Sequence, residues 1–287
     1  MIYSDAVVWA TLRHPHVLRL LGVTDVKLPT PSTLPRIVMP WVENRNIEVQ
    51  IRFFEETLRA KPPLSLWISQ IASGLEYLHQ EGIVHGSMRT SNVMVDNYNI
   101  VVLADYDMEK YIARTDEDSE PPFLNAAADY TWYAPEQYLA NHFTMKKPTQ
   151  EGDIYSFGCV WLHLHSRHRP FHDVPFNVSV YEKWKQGTRV GWPRDGLMPH
   201  CTIQELQSLE VWRLVSRCLS ENPDDRPKAR DLQEIAKHDA LWIRDVYYEP
   251  SMSAYSKRDQ PSRVPFEPPS RYRWTMYRLR TQRKIRS

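Results

Sequence analysis

The sequence predicts an α+β fold with most of its mass in helices, and three patterns carry that prediction. Apolar residues Trp67, Ile68, Ile71, Ala72, Leu75 and Leu78 step by three and four, the spacing of one helix face. Residues 92–95 and 100–103 are short apolar runs separated by Asp96-Asn97-Tyr98-Asn99, an Asx-rich turn, and so read as a hairpin. Beyond Pro135 the periodic segments, residues 153–164 and 209–219 among them, are again helical.

The remaining elements follow in chain order. Residues 5–12 place Val8, Trp9 and Leu12 on one helix face, and Pro15 stops the helix. Residues 17–23 and 36–39, on either side of a Pro-rich loop, read as short strands. The long helix begins at Leu64, and Gly82 supplies its stop. From about Tyr247 periodicity fails, prolines gather at 261, 265, 268 and 269, and charge rises. Residues 246–287 are therefore expected to be a disordered basic tail behind a domain of residues 1–245.

With 42% apolar and 25% charged residues, the 287-residue chain has the balance of a folded domain rather than a disordered one. The formal net charge of +1 is unevenly spread. Residues 251–287 hold ten Lys or Arg against two acids, a net of +8, which leaves −7 on the first 250 residues. Tyr272, Trp274 and Tyr277 alternate with the arginines of this tail. Such a segment can engage nucleic acid or an anionic membrane surface, or pack along the acidic remainder of the chain. Cys159, Cys201 and Cys218 are too few and scattered for a disulfide framework or a metal knot. No apolar run has the length of a signal peptide or of a membrane span, so cytoplasm is the expectation, with the nucleus open. His163, His165, His168 and His172 are crowded, but 163 and 165 point apart on a helix and no Cys or carboxylate completes a metal set with them. The ten tryptophans sit mostly at core periodicity, which makes them packing residues.

Six short motifs add a function. They are L-R-H-P-H-V-L-R-L-L-G-V (12–23), I-V-H-G-S-M-R-T-S-N-V-M-V (83–95), A-D-Y-D (104–107), Y-A-P-E-Q (133–137), G-D-I-Y-S-F-G (152–158) and N-P-D-D-R-P (222–227). In this order and at these distances the chain resembles the carboxy-terminal two thirds of a protein kinase, over residues 2–243. The His-Gly variant of the catalytic loop and the Trp-rich composition resemble the tyrosine-kinase-like kinases abundant in mushroom-forming fungi. The resemblance implies a kinase-like α+β fold, mainly the helical carboxy-terminal lobe (41–245), with a remnant of the β-rich amino-terminal lobe (1–40).

Carried over position by position, the resemblance divides the residues into two groups. In the catalytic loop His85 and Asn92 match, but Gly86 stands for the Arg and Ser87 for the Asp that orients and deprotonates the acceptor hydroxyl. A serine hydroxyl is a very weak base at neutral pH, so the general base is lost. Asp105 and Asn92 match the magnesium ligands of an ATP site, Met39 falls at the gatekeeper position, and Asp107 replaces the glycine that follows Tyr106. Asp5 falls where the family places the helix Glu that pairs with a strand Lys, and the sequence starts four residues before it. The expectation is that this Lys and the glycine-rich loop are absent, which makes binding of ATP and Mg doubtful. Tyr111, Thr115 and Ser119 occupy the activation segment, but among Asp116, Glu117, Asp118 and Glu120 an added phosphate would meet repulsion. The architectural residues survive: Glu136 and Arg226 as an internal ion pair, Asp153 as an acceptor for the catalytic loop, and Trp9, Leu20, Tyr106 and His85 as an apolar stack. The leading reading is a pseudokinase that binds or allosterically positions a protein partner in signalling, with Asn92 contributing little to folding. The alternatives are an active protein kinase represented by a truncated gene model, and a nucleic-acid or anionic-surface binder acting through the tail.

Overall fold

Chain order in the computed structural model is helix α1 (Ile2–Thr11), strands β1 (Gly22–Thr24) and β2 (Arg36–Val38), helices α2 (Ile47–Arg52) and α3 (Leu64–Gln80), strands β3 (Val93–Val95) and β4 (Val101–Leu103), then helices α4 (Gln150–Ser166), α5 (Val180–Lys185) and α6 (Glu210–Cys218). The structure describes residues 2–24, 36–43, 45–106, 130–137, 147–174, 180–190 and 210–232. All belong to the unit Met1–Asp245, one of two into which the chain divides. Asp107, the activation-segment residues Tyr111, Thr115 and Ser119, Cys201 and the tail lie outside the described residues.

Two helices organise the core. Helix α3 buries Trp67, Ile68, Ile71, Ala72, Leu75 and Leu78, the stripe that its sequence spacing marks. It ends where Gly82 takes φ +73°, while the Gly82 N–H donates to His79 O and the Ile83 N–H to Leu78 O at 2.8 Å. That pair of bonds is the glycine-terminated cap which satisfies the last carbonyls of a helix. Midway, Gly74 allows the segment before β1 to approach, because a Cβ there would meet His16 O at 2.6 Å. Helix α4 is capped by Thr149, whose Oγ1 accepts from the Gly152 N–H at 3.0 Å, and it is buried on nearly every face. A helix apolar all round belongs inside, and α4 packs between α3 and α6.

The hairpin β3–β4 pairs Val93 with Leu103 and Val95 with Val101. Its turn forms as the sequence predicts: Asp96 Oδ1 accepts from the N–H groups of Tyr98 and Ile100, and Asn99 takes a left-handed φ of +61°. Residues 17–23, expected to be one strand, are split between two partners. Leu103 N–H donates to His16 O and Leu18 N–H to Leu103 O, so this stretch begins as a single bridge to β4. From Leu21, whose N–H donates to Val38 O, it pairs instead with β2, as Gly22 opposite Val38. The change of partner limits the regular strand to three residues. Helix α2 is an element that the sequence patterns do not mark; Asn46 caps it by accepting from Val49 N–H, and Ile47 and Ile51 face inward at a four-residue spacing.

Candidate active site

The first turn of α4 carries the acceptor for the whole catalytic loop. Asp153 is 2% exposed, and its Oδ2 accepts from His85 N–H at 2.7 Å while Oδ1 accepts from Gly86 N–H at 2.8 Å. His79, from the last turn of α3, places Nε2 2.9 Å from the same Oδ2. A buried carboxylate is tolerated when several donors share its charge, and here there are three. Gly86 sits at φ +74°, a left-handed conformation that glycine adopts without steric cost. The His85 ring is wholly buried, and desolvation lowers its pKa although Asp153 and Asp105 oppose the shift.

Ser87, where the family resemblance leads one to expect the base, is engaged on both sides. Its hydroxyl donates to the backbone oxygen of Asp105 at 3.1 Å. The Asn92 amide donates to Ser87 O at 2.9 Å and to Ser87 Oγ at 3.0 Å. Asp105 itself is exposed and stands at φ +56°, a strained conformation for a residue with a side chain. Asn92 is 4% exposed and spends both amide donors on the loop, so it holds the local fold together. The expectation that Asn92 matters little to folding is revised on that ground, since an unmade buried hydrogen bond costs about 1–3 kcal/mol.

On the other side of α4, Arg226 and Glu136 form a bidentate pair, with Nη1 to Oε1 at 2.6 Å and Nη2 to Oε2 at 2.7 Å. The Arg226 side chain has 0% exposure and also donates to the carbonyls of Ser220, Glu151 and Glu221. The Tyr155 ring lies beneath its guanidinium, 5.2 Å away.

A profile of the protein tyrosine and serine/threonine kinase family matches residues 1–235. The chain belongs to the protein kinase family. It is 28% identical over 232 residues to the tyrosine-protein kinase abl-1 of Caenorhabditis elegans, covering 80% of this chain and 17% of that protein. It is 26% identical over 253 residues to the tyrosine-protein kinase SPK-1 of Girardia tigrina, 86% of this chain and 47% of the other. Against the melanoma receptor tyrosine-protein kinase of Xiphophorus maculatus it is 28% identical over 234 residues, 80% of this chain and 18% of the receptor. The chain thus spans less than half the length of each of these relatives.

Within this kinase domain the residues of the expected stack come together in part. Trp9 and Tyr106 meet edge to face with ring centroids 6.3 Å apart, both almost wholly buried, and Leu20 and His85 are buried in the same unit. Tyr106 O–H also donates to Leu18 O at 3.1 Å, which ties the A-D-Y segment to the stretch before β1. Asp5 lies in α1, but its side chain is outside the described residues. Met39 follows β2 directly and is half-buried. Sequence reasoning missed His79 as the third partner of Asp153. It also missed Glu48 of α2, whose Oε1 accepts from Thr90 Oγ1 in the catalytic loop. The capped start of α2 was the available signal for Glu48.

Among the described residues no set of three or more His, Cys, Asp or Glu could hold a metal ion. His163 stacks on Trp132 at 5.6 Å and 19°, and its Nδ1 lies 3.9 Å from Glu48 Oε1. Burial pushes its pKa down to about 4; Glu48 opposes the shift, and Arg169, Arg167 and His168 reinforce it. The folded state therefore resists protonation of His163 while the unfolded chain accepts it near pH 6.5. Its contribution is complete above pH 6.5 and declines as pH falls toward 4. Thermal melts between pH 7 and 4.5 should show a falling melting temperature, and His163→Gln should make that fall shallower.

Proposed function

We propose that the chain is a catalytically impaired kinase domain, a pseudokinase, that acts by binding or allosterically positioning a protein partner in signalling. One observation carries the reading. The position from which a kinase deprotonates its acceptor hydroxyl is Ser87, and its hydroxyl is committed to Asn92 and to the Asp105 backbone. Neutral, weakly basic and already bonded, it cannot take the proton; loss of a positioned base costs about 100- to 10,000-fold in rate. The architecture around it persists, with Asp153 bonded to the loop and Arg226 to Glu136. Retained scaffold with altered chemistry suits a module read by its surface.

The oxygen donors suited to magnesium remain, since the Asp105 carboxylate is exposed and Asn92 Oδ1 is the amide atom left over from the bonds to Ser87. These two residues would hold a magnesium ion, which would supply neutralising charge for the phosphates of ATP. Met39 would stand as gatekeeper beside the nucleotide. Because these ligands survive, active phosphotransfer by another base is the second reading. Release of ADP at millimolar ATP and magnesium separates the two: the pseudokinase reading expects the rate of the Asp105→Ala variant, and a faster, Asp105-dependent rate contradicts it.

The alternation of arginines with Tyr272, Trp274 and Tyr277 supports an additional role for residues 246–287 on an anionic surface, nucleic acid or membrane. Binding of the full chain to RNA, DNA or anionic vesicles should weaken steeply between about 50 and 200 mM salt. A chain ending at Tyr248 that binds equally well would refute this role. Among the described residues no helix is long and apolar enough to cross a membrane, and we place the protein in the cytoplasm, with the nucleus as the alternative. The His-Gly loop and ten tryptophans support a place among fungal tyrosine-kinase-like proteins.

A further inference from the structure

We propose that Ser87 is a positioning residue that orients Asp105 and Asn92 for a divalent cation. The inference rests on the kinase reading of the site, but not on whether phosphoryl transfer is lost.

A serine hydroxyl offers one donor and two acceptor positions, and here the donor and one acceptor are used. The donor goes to the backbone oxygen of Asp105 at 3.1 Å, and the Asn92 amide nitrogen donates to the hydroxyl oxygen at 3.0 Å. The same nitrogen donates to Ser87 O at 2.9 Å. Both amide hydrogens of Asn92 are thereby assigned to Ser87. Rotating the amide by half a turn would set its oxygen against two oxygens, so the orientation is fixed. Among the described residues, Asn92 Oδ1 keeps only a long contact from Ser91 Oγ at 3.3 Å and remains available as a ligand.

The bond to Asp105 acts on the other ligand. Asp105 stands at φ +56°, which costs energy for any residue but glycine and persists only when its surroundings enforce it. Three bonds hold that turn. Ala104 N–H donates to Asn92 O at 2.9 Å, Tyr106 O–H donates to Leu18 O, and the Ser87 hydroxyl holds the Asp105 carbonyl between them. An ionised aspartate at position 87 is an acceptor only and could not make the bond to that carbonyl. The serine thus does something that the residue it replaces cannot: it clasps the two ligand-bearing segments, residues 87–92 and 104–106, through one hydroxyl. The donors it sets are a carboxylate and an amide oxygen, hard ligands matched to magnesium or manganese rather than to softer metals.

Electron paramagnetic resonance of free Mn2+, titrated against the full chain without nucleotide, tests the clasp. Wild type should bind Mn2+ at a site that Asp105→Ala removes. Ser87→Ala should weaken that site by about 10- to 100-fold, the usual effect of removing a group that orients a metal ligand. Ser87→Thr, which keeps the hydroxyl, should retain the wild-type affinity. Wild-type affinity in Ser87→Ala, equal weakening in the Thr and Ala variants, or Mn2+ binding that ignores Asp105→Ala would each overturn the proposal. Phosphoryl transfer by the wild type would refute the pseudokinase reading and leave this result standing, so the two failures are distinguishable.

Discussion

Arg226→Ala is expected to destabilise the kinase domain by about 3–5 kcal/mol, the range found when one partner of a buried ion pair is removed. At that size the melting temperature should fall by roughly 10 °C. The arginine has 0% side-chain exposure, and its loss strands more than one group. Glu136 loses both of its donors, and the carbonyls of Ser220, Glu151 and Glu221 lose theirs. Glu136 is 25% exposed and recovers some hydration, which places the cost toward the lower end of the range. Arg189 with Glu221 is the control, since both side chains are well exposed; Arg189→Ala should leave the melting temperature nearly unchanged. Equal melting temperatures for Arg226→Ala and Arg189→Ala would show that the internal pair contributes nothing.

Asp153→Ala should be comparably severe, for a different reason. Three donors converge on this carboxylate, two of them backbone N–H groups of the buried residues His85 and Gly86. Each buried donor left unmade costs about 1–3 kcal/mol, so a loss on the order of 4 kcal/mol is expected. Asp153→Asn keeps a single acceptor oxygen and should recover part of that. The damage should also be local, because the loop loses its anchor to α4. Amide hydrogen exchange at His85 and Gly86 should accelerate in Asp153→Ala well beyond the rest of the domain. Uniform acceleration would mean that Asp153 stabilises the fold without positioning the loop.

The motif residues were legible in the sequence because their chemistry is tied to short spacings. His85, Ser87 and Asn92 share one loop, and the serine at position 87 is what motivates the proposal of a lost base. The long-range pairs Glu136–Arg226 and Asp153 with the loop were legible only through the family resemblance, since nothing local links residues 68 to 90 positions apart. Other features depended on how the chain folds back. The bond from Ser87 to Asp105 exists because the β3–β4 hairpin returns the chain to the start of its own loop. The stretch 17–23 is an apolar run that reads as one strand, and the change of partner from β4 to β2 divides it. Helix α2, six residues long, is too short for periodicity to declare, although Asn46 marked its start. Nothing local marks His79 in the last turn of α3, because its partner Asp153 is 74 residues away.

The proposed pseudokinase keeps the kinase scaffold and has lost the chemistry at Ser87. Transfer of labelled γ-phosphate from ATP, with magnesium, to the chain itself or to a generic protein substrate measures that most directly. The wild-type chain and Asp105→Ala should give the same background incorporation. Robust labelling by the wild type that Asp105→Ala abolishes would contradict it.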